Sequence, residues 1–161
     1  MLVELIREPA FNTLRTQEQL GYIVKVTYSS SAKVIGLNIK IQSARYGADY
    51  LEHRINNFIE NLPNFSEEQV ENIKRSLIKE YEQVITNIGQ EGLRFWSQLE
   101  DDCFEFDSIP RAIEAIKSVK HADVVAKVGE LLLNDPKRLN VKIHTPNLSE
   151  EAEKENVEAR G

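Results

Sequence analysis

Phe11, Arg15, Gln19 and Tyr22 are the residues whose types and spacing best suit chemistry. Phe11 and Arg15 stand one helical turn apart and so share a helix face, which Gln19 continues. Tyr22 follows just past a helix-to-strand break marked by Gly21. A guanidinium and a phenol converging on one spot supply two hydrogen-bond donors suited to a peptide carbonyl or an oxyanion. The plainer alternative has Arg15 pairing with a nearby glutamate and Tyr22 packing on a sheet.

Other chemistry finds less support. His53, His121 and His144 each stand alone, and neither H-x-x-E-H nor H-E-x-x-H occurs. They read as surface or capping histidines, the alternative being a site assembled from all three across the fold. No G-x-S-x-G elbow is present, and Cys103 lies in Asp101-Asp102-Cys103-Phe104-Glu105. Acidic neighbours disfavour a thiolate, so Cys103 reads as a packing residue. The same acidic run lacks the D-x-D-x-D-G ladder of a calcium loop and reads as a solvated turn. Phosphate-cradling and dinucleotide-binding glycine loops are absent too.

The 161 residues suffice for one domain with a core. A hydrophobic fraction of 41% and a charged fraction of 29% are those of an ordinary globular protein. A net charge of −6 with scattered basic residues disfavours nucleic acid and anionic membranes as partners. One cysteine excludes an internal disulfide and fits a reducing compartment, the cytoplasm. The N-terminus meets Arg7, Glu8 and Pro9 too early for a secretory core, and no apolar stretch approaches the roughly 18–20 residues of a membrane span. Sequons at Asn64 and Asn147 therefore read as chance.

The elements that must position Arg15 and Tyr22 follow from hydrophobic periodicity. Leu2, Leu5, Ile6, Phe11 and Leu14 predict a helix over 1–19, kinked at Glu8-Pro9. Residues 22–28 are rich in β-branched and aromatic types, and Ile35, Leu37, Ile39 and Ile41 alternate with polar residues. Together they predict an antiparallel hairpin joined over 29–33, with one face buried. Leu51, Ile55, Phe58, Ile59 and Leu62 mark a helix stopped by Pro63. Ser66 with Gln69 forms a capping box opening another, whose stripe of Val70, Ile73, Leu77, Tyr81, Val84 and Ile88 runs about five turns. Gly89 and Gly92 predict a break before a short aromatic helix carrying Leu93, Phe95, Trp96 and Leu99. Ser108 and Pro110 start a further helix, with Ile113 and Ile116 facing inward. Val124, Val125, Val128, Leu131 and Leu132 define one more, and Leu139, Val141 and Ile143 a last strand. No solenoid-type repeat occurs. The expected fold is α+β: a small antiparallel sheet covered on one face by helices, in a domain over 1–145, followed by an acidic, flexible tail over 146–161.

The segment Glu8-Pro9-Ala10-Phe11-Asn12-Thr13-Leu14-Arg15-Thr16-Gln17-Glu18-Gln19-Leu20-Gly21-Tyr22-Ile23-Val24 resembles the E-P-x-F-x-x-L-R-T-x-E-Q-L-G-Y-x-V signature of the insulysin, nardilysin and pitrilysin peptidases. Echoes follow in register at Ile41-Gln42-Ser43, Tyr50-Leu51-Glu52, Phe95-Trp96 and Phe104-Glu105-Phe106-Asp107, so the resemblance spans roughly 1–145. It implies the fourth, C-terminal unit of a zinc metallopeptidase built from related α/β units around a closed chamber, lacking that unit's first strands. The zinc motif belongs to the first unit, so this chain is expected to hold no cofactor while its parent holds zinc. By the same resemblance, Arg15 and Tyr22 reach across the chamber to substrate, Phe11 lines the pocket beside the scissile bond, and a zinc-activated water performs the hydrolysis.

The implied partners are the N-terminal catalytic half of the parent and its peptide substrates, and the chain alone is expected to be inert. An open strand edge beside apolar positions such as Val24 and Ile39 would favour self-association. The alternative is a non-catalytic peptide- or protein-binding module.

Overall fold

The computed structural model describes residues 1–31, 34–83, 87–100, 108–134 and 137–144. Helix α1 spans Leu2–Ala10 and runs on into a wider π-helical segment, Phe11–Gln17. Pro9 lies inside α1, where its missing N–H removes one i→i−4 bond. The helix continues through it rather than ending, and the adjustment appears just downstream. There Glu18 N–H donates to Thr13 O at 2.9 Å and Leu20 N–H to Leu14 O at 3.0 Å, reaching past the usual i−4 carbonyl.

Strands β1 (Ile23–Ser31) and β2 (Val34–Gln42) form an antiparallel pair with Val26 opposite Ile39 and Ile23 opposite Gln42. The strands run further than the sequence implies, leaving less of the chain for the connection. Val24 and Val26 are buried beneath α1, and Arg7 Nε reaches Val26 O at 3.5 Å. Leu37, Ile39 and Ile41 pack at the edge of the core, as period two predicts. Ile35 does not: with Val34 and Tyr28 it is exposed near the hairpin tip, away from the buried Val24 and Val26. Val24 and Ile39 thus face the core and offer no sticky surface beside the strand edges.

Helix α2 (Ala48–Glu60) buries Phe58 and Ile59, with Leu51, Ile55 and Leu62 at the core margin. Helix α3 (Glu67–Tyr81) opens with the expected capping box: Gln69 N–H donates to Ser66 Oγ at 3.1 Å, and Ser66 N–H to Gln69 Oε1 at 2.8 Å. It ends at Tyr81, shorter than predicted. Ile88 instead begins α4 (Ile88–Glu100), which contains both Gly89 and Gly92, so neither glycine breaks a helix here. A glycine inside a helix costs only about 1 kcal/mol relative to alanine, which α4 tolerates. Val84 lies outside the described residues.

Helices α5 (Ser108–Ser118) and α6 (His121–Val128) follow, the latter passing into a second π-helical stretch, Gly129–Leu133. Ile113 and Ile116 are half-buried. Val124, Val128 and Leu132 are buried as expected, whereas Val125 and Leu131 are exposed. Lys74 of α3 is nearly buried and donates to Val119 O at 2.9 Å and Glu71 Oε1 at 2.8 Å, tying α3 to the α5–α6 connection. His121 Nε2 lies 2.7 Å from Phe65 O, a structural bond at the start of α6.

Residues 137–144 are no strand, contrary to the alternation of Leu139, Val141 and Ile143. A strand requires a ladder partner, and none exists among the described residues. Instead the alternate residues hold α2: Arg138 donates to Asn56, Asn140 to Glu52, and Lys142 bridges Asp49 and Glu52. The carboxylates, Asp49 first, hold the Lys142 ammonium above its ordinary pKa. Cys103 and the segment from 145 onward, including the expected tail, lie outside the described residues. The described architecture is α+β, a two-stranded antiparallel sheet with helices against one face.

Candidate functional site

The site is built where the π-helical segment turns into β1. Leu14 and Leu20 are fully buried and anchor the two ends of this turn in the core. Gln19 adopts φ 50°, a left-handed conformation that side chains rarely take and that persists only when neighbours over-determine it. Gly21 follows against the end of β2, where any Cβ would press into the Gln42 carbonyl. Glycine is therefore required at 21 for close packing of backbone on backbone, not for a positive φ.

Arg15 Nη1 donates to Gly21 O at 2.6 Å. The guanidinium thus sits on the carbonyl of the peptide bond that joins Gly21 to Tyr22, which ties Arg15 to the backbone just before Tyr22. Among the described residues Arg15 pairs with no glutamate; its contact is that single carbonyl, and a guanidinium carries five N–H donors in all. Tyr22 is 57% exposed, and its phenol has no hydrogen-bond partner among the described residues. Phe11, at the start of the π-helical segment, is half exposed; no ring stacking joins it to Tyr22 among the described residues. Gln19 is exposed and does not continue the helix face of Arg15, because the helix has ended before it and Gln19 itself is left-handed.

A further pair escapes sequence reading. Arg54 of α2 grips Glu18 through Nε–Oε2 and Nη2–Oε1, both 2.7 Å, with both side chains largely shielded. The hydrogen bonds to Glu18, more than the attraction between the charges, raise the Arg54 guanidinium above its ordinary pKa. Nothing in the local pattern links residues so far apart.

No group of three His, Cys, Asp or Glu is poised to hold an ion among the described residues. His121 is committed to the Phe65 carbonyl, while His53 and His144 are exposed. The described residues do not fit a zinc ion. No described helix is long and apolar enough to cross a membrane.

The relatives of this chain define its class, a C-terminal domain of the nardilysin type of metallopeptidase. More particularly, the chain belongs to the family described as PQQ synthase PqqF-like, C-terminal lobe domain 4, whose model matches residues 1–96. Among relatives, it is 32% identical over 127 residues to a nardilysin-like protein of Arabidopsis thaliana, covering 76% of this chain and 12% of that protein. Human nardilysin is 30% identical over 131 residues, covering 78% and 11%. Human insulin-degrading enzyme is 28% identical over 153 residues, covering 89% and 14%. The fold matches the crystal structure of pitrilysin with a TM-score of 0.69 at 22% identity, covering 80% of this chain and 14% of that one. The chain thus spans only a small part of the length of each relative.

Proposed function

We propose that this chain is the C-terminal substrate-binding domain of a zinc metalloendopeptidase that degrades peptides, and that it supplies Arg15 and Tyr22 to an active site whose metal is held by another part of the parent. The carrying observation is at the junction: a guanidinium anchored on the Gly21 carbonyl, and next in the chain Tyr22, whose side chain is exposed and has no hydrogen-bond partner among the described residues. An exposed phenol exchanges its hydrogen bonds with water, so an incoming ligand can displace that water and take the bond.

Tyr22 donates to the oxygen that gains charge as a peptide carbonyl is attacked, and Arg15 orients that carbonyl or its neighbour. Phe11 supplies apolar contact for a substrate side chain. The N-terminal half of the parent completes the chamber, and the chain by itself is inert. Names among its relatives support this reading: nardilysin, insulin-degrading enzyme and, in fission yeast, a putative zinc protease. A reducing compartment such as the cytoplasm suits the single cysteine.

Steady-state kinetics of the full-length protein test the reading. Tyr22→Phe removes only a hydroxyl and is expected to lower kcat by roughly 100- to 1000-fold with folding and KM nearly unchanged, as for loss of one oxyanion donor. Arg15→Ala is expected to lower kcat and raise KM. A Tyr22→Phe enzyme with near wild-type kcat/KM on a short peptide overturns the role of Tyr22.

A further inference from the structure

We infer that the Glu18–Arg54 ion pair positions the Arg15–Tyr22 pair, so that Arg54, far away in sequence, acts on catalysis through the turn it clamps; this rests on the role proposed above for Tyr22. Glu18 is where the π-helical segment ends, its own N–H bonded back to Thr13 O at 2.9 Å. From there the chain reaches Tyr22 through three residues. Gln19 is in a left-handed conformation, Leu20 is pinned in the core, and Gly21 is pressed on β2 and held by Arg15.

Each neighbour fixes one part of this turn, but the Gln19 conformation needs a hold on its N-terminal side as well. The hold is the fork of Arg54. A bidentate guanidinium–carboxylate pair fixes both distance and angle, which a single point contact does not. Shielding of both side chains limits screening by salt. Helix α2 has its own attachment to the core through Phe58 and Ile59, so it provides a rigid base for the clamp. Cutting the clamp frees Glu18 and lets the turn relax, tilting the Gly21–Tyr22 peptide away from its set orientation. Misplacement by about 1 Å from a remote change costs on the order of 100-fold in rate.

Two measurements test this. In the chain itself, Arg54→Met is expected to speed amide hydrogen exchange over residues 18–22 while leaving exchange around the buried Val70 of α3 unchanged. In the full-length peptidase, Arg54→Met is expected to lower kcat on the order of 10- to 100-fold with little change in KM. Combined with Tyr22→Phe, it is expected to add little further loss, because both act through one hydroxyl. Arg54→Lys keeps the charge and loses the fork, so it serves where Arg54→Met does not fold and should show the same defect in smaller degree. Unchanged exchange at 18–22, or wild-type kcat in Arg54→Met while Tyr22→Phe is impaired, overturns the clamp and leaves the role of Tyr22 standing. Fully additive losses in the double variant also overturn it, since Arg54 then acts elsewhere. A harmless Tyr22→Phe instead sinks the catalytic reading on which the clamp depends.

Discussion

The core around the site and two outlying elements, helix α4 and the segment 137–144, treat apolar side chains in opposite ways. In the first, Leu5, Ile6, Leu14, Leu20, Val24, Val26, Phe58 and Ile59 close a core around the site. In the second, Leu93 and Trp96 of α4 are mostly exposed, and Leu139, Val141 and Ile143 stand 88%, 77% and 88% exposed. Both regions carry regular amphipathic patterns, so pattern alone does not decide burial. The first has its partners within the chain. The second presents apolar faces that stay largely exposed among the described residues. The site sits on the self-sufficient side of this divide, as a preorganised constellation requires.

Leu14→Ala tests the self-sufficient side hardest. Leu14 is fully buried where the π-helical segment turns, and its truncation is expected to cost about 2–5 kcal/mol. Against a total stability of about 5–15 kcal/mol that is a large share, visible as a lowered urea midpoint. A loss below about 1 kcal/mol would mean that the turn collapses around the gap, and that the contrast between the regions is weaker than burial implies.

The hairpin, the capping box and the helix over Ala48–Glu60 were legible in the sequence because each rests on local signals: period two, an S-x-x-Q pair and an apolar stripe. Arg15 and Tyr22 were legible as candidates from residue type and spacing; the contact the fold makes is from Arg15 to the Gly21 carbonyl, one residue before Tyr22, and a shared target for guanidinium and phenol belongs to the proposed function. The π-widening after Pro9 was not legible, since hydrophobic spacing tolerates one extra residue per turn. Arg54 was invisible for a different reason: an ion pair between distant residues leaves no periodic trace. The expected strand at Leu139–Ile143 failed on tertiary grounds. Alternation is necessary for a half-buried strand, but a ladder partner is needed too, and here the polar residues took α2 instead.

Ser66→Ala separates local from tertiary stabilisation at intermediate size. The Ser66 hydroxyl accepts from Gln69 N–H, and the Gln69 side chain returns a bond to Ser66 N–H. Removing the hydroxyl strands one helix-end donor while touching no core residue, so a cost of about 1 kcal/mol is expected. Thermal melts should register it without any change in the spectral signature of the aromatic residues. A cost near that of Leu14→Ala would show that α3 depends on its cap more than on Val70.

Val141→Ser is the smallest perturbation and bears on the other side of the divide. Val141 is 77% exposed between Asn140 and Lys142, whose side chains hold α2 regardless of what occupies 141. Stability of the isolated chain should therefore change by less than about 0.5 kcal/mol, as for exposed positions generally. Association should respond more. The backbone of Leu139, Val141 and Ile143 forms no hydrogen bond to other backbone among the described residues, and the outer edges of β1 and β2 are likewise unpaired there. Unpaired backbone beside a bare apolar row favours strand pairing between copies when the natural partner is missing. Sedimentation across a concentration series should show wild-type chain associating and Val141→Ser shifted toward monomer. If instead the wild type stays monomeric at high concentration, the row is covered by neither copies nor ladder. If Val141→Ser unfolds the chain at a cost above about 1 kcal/mol, Val141 is packed, and the contrast between the two regions does not hold at this position.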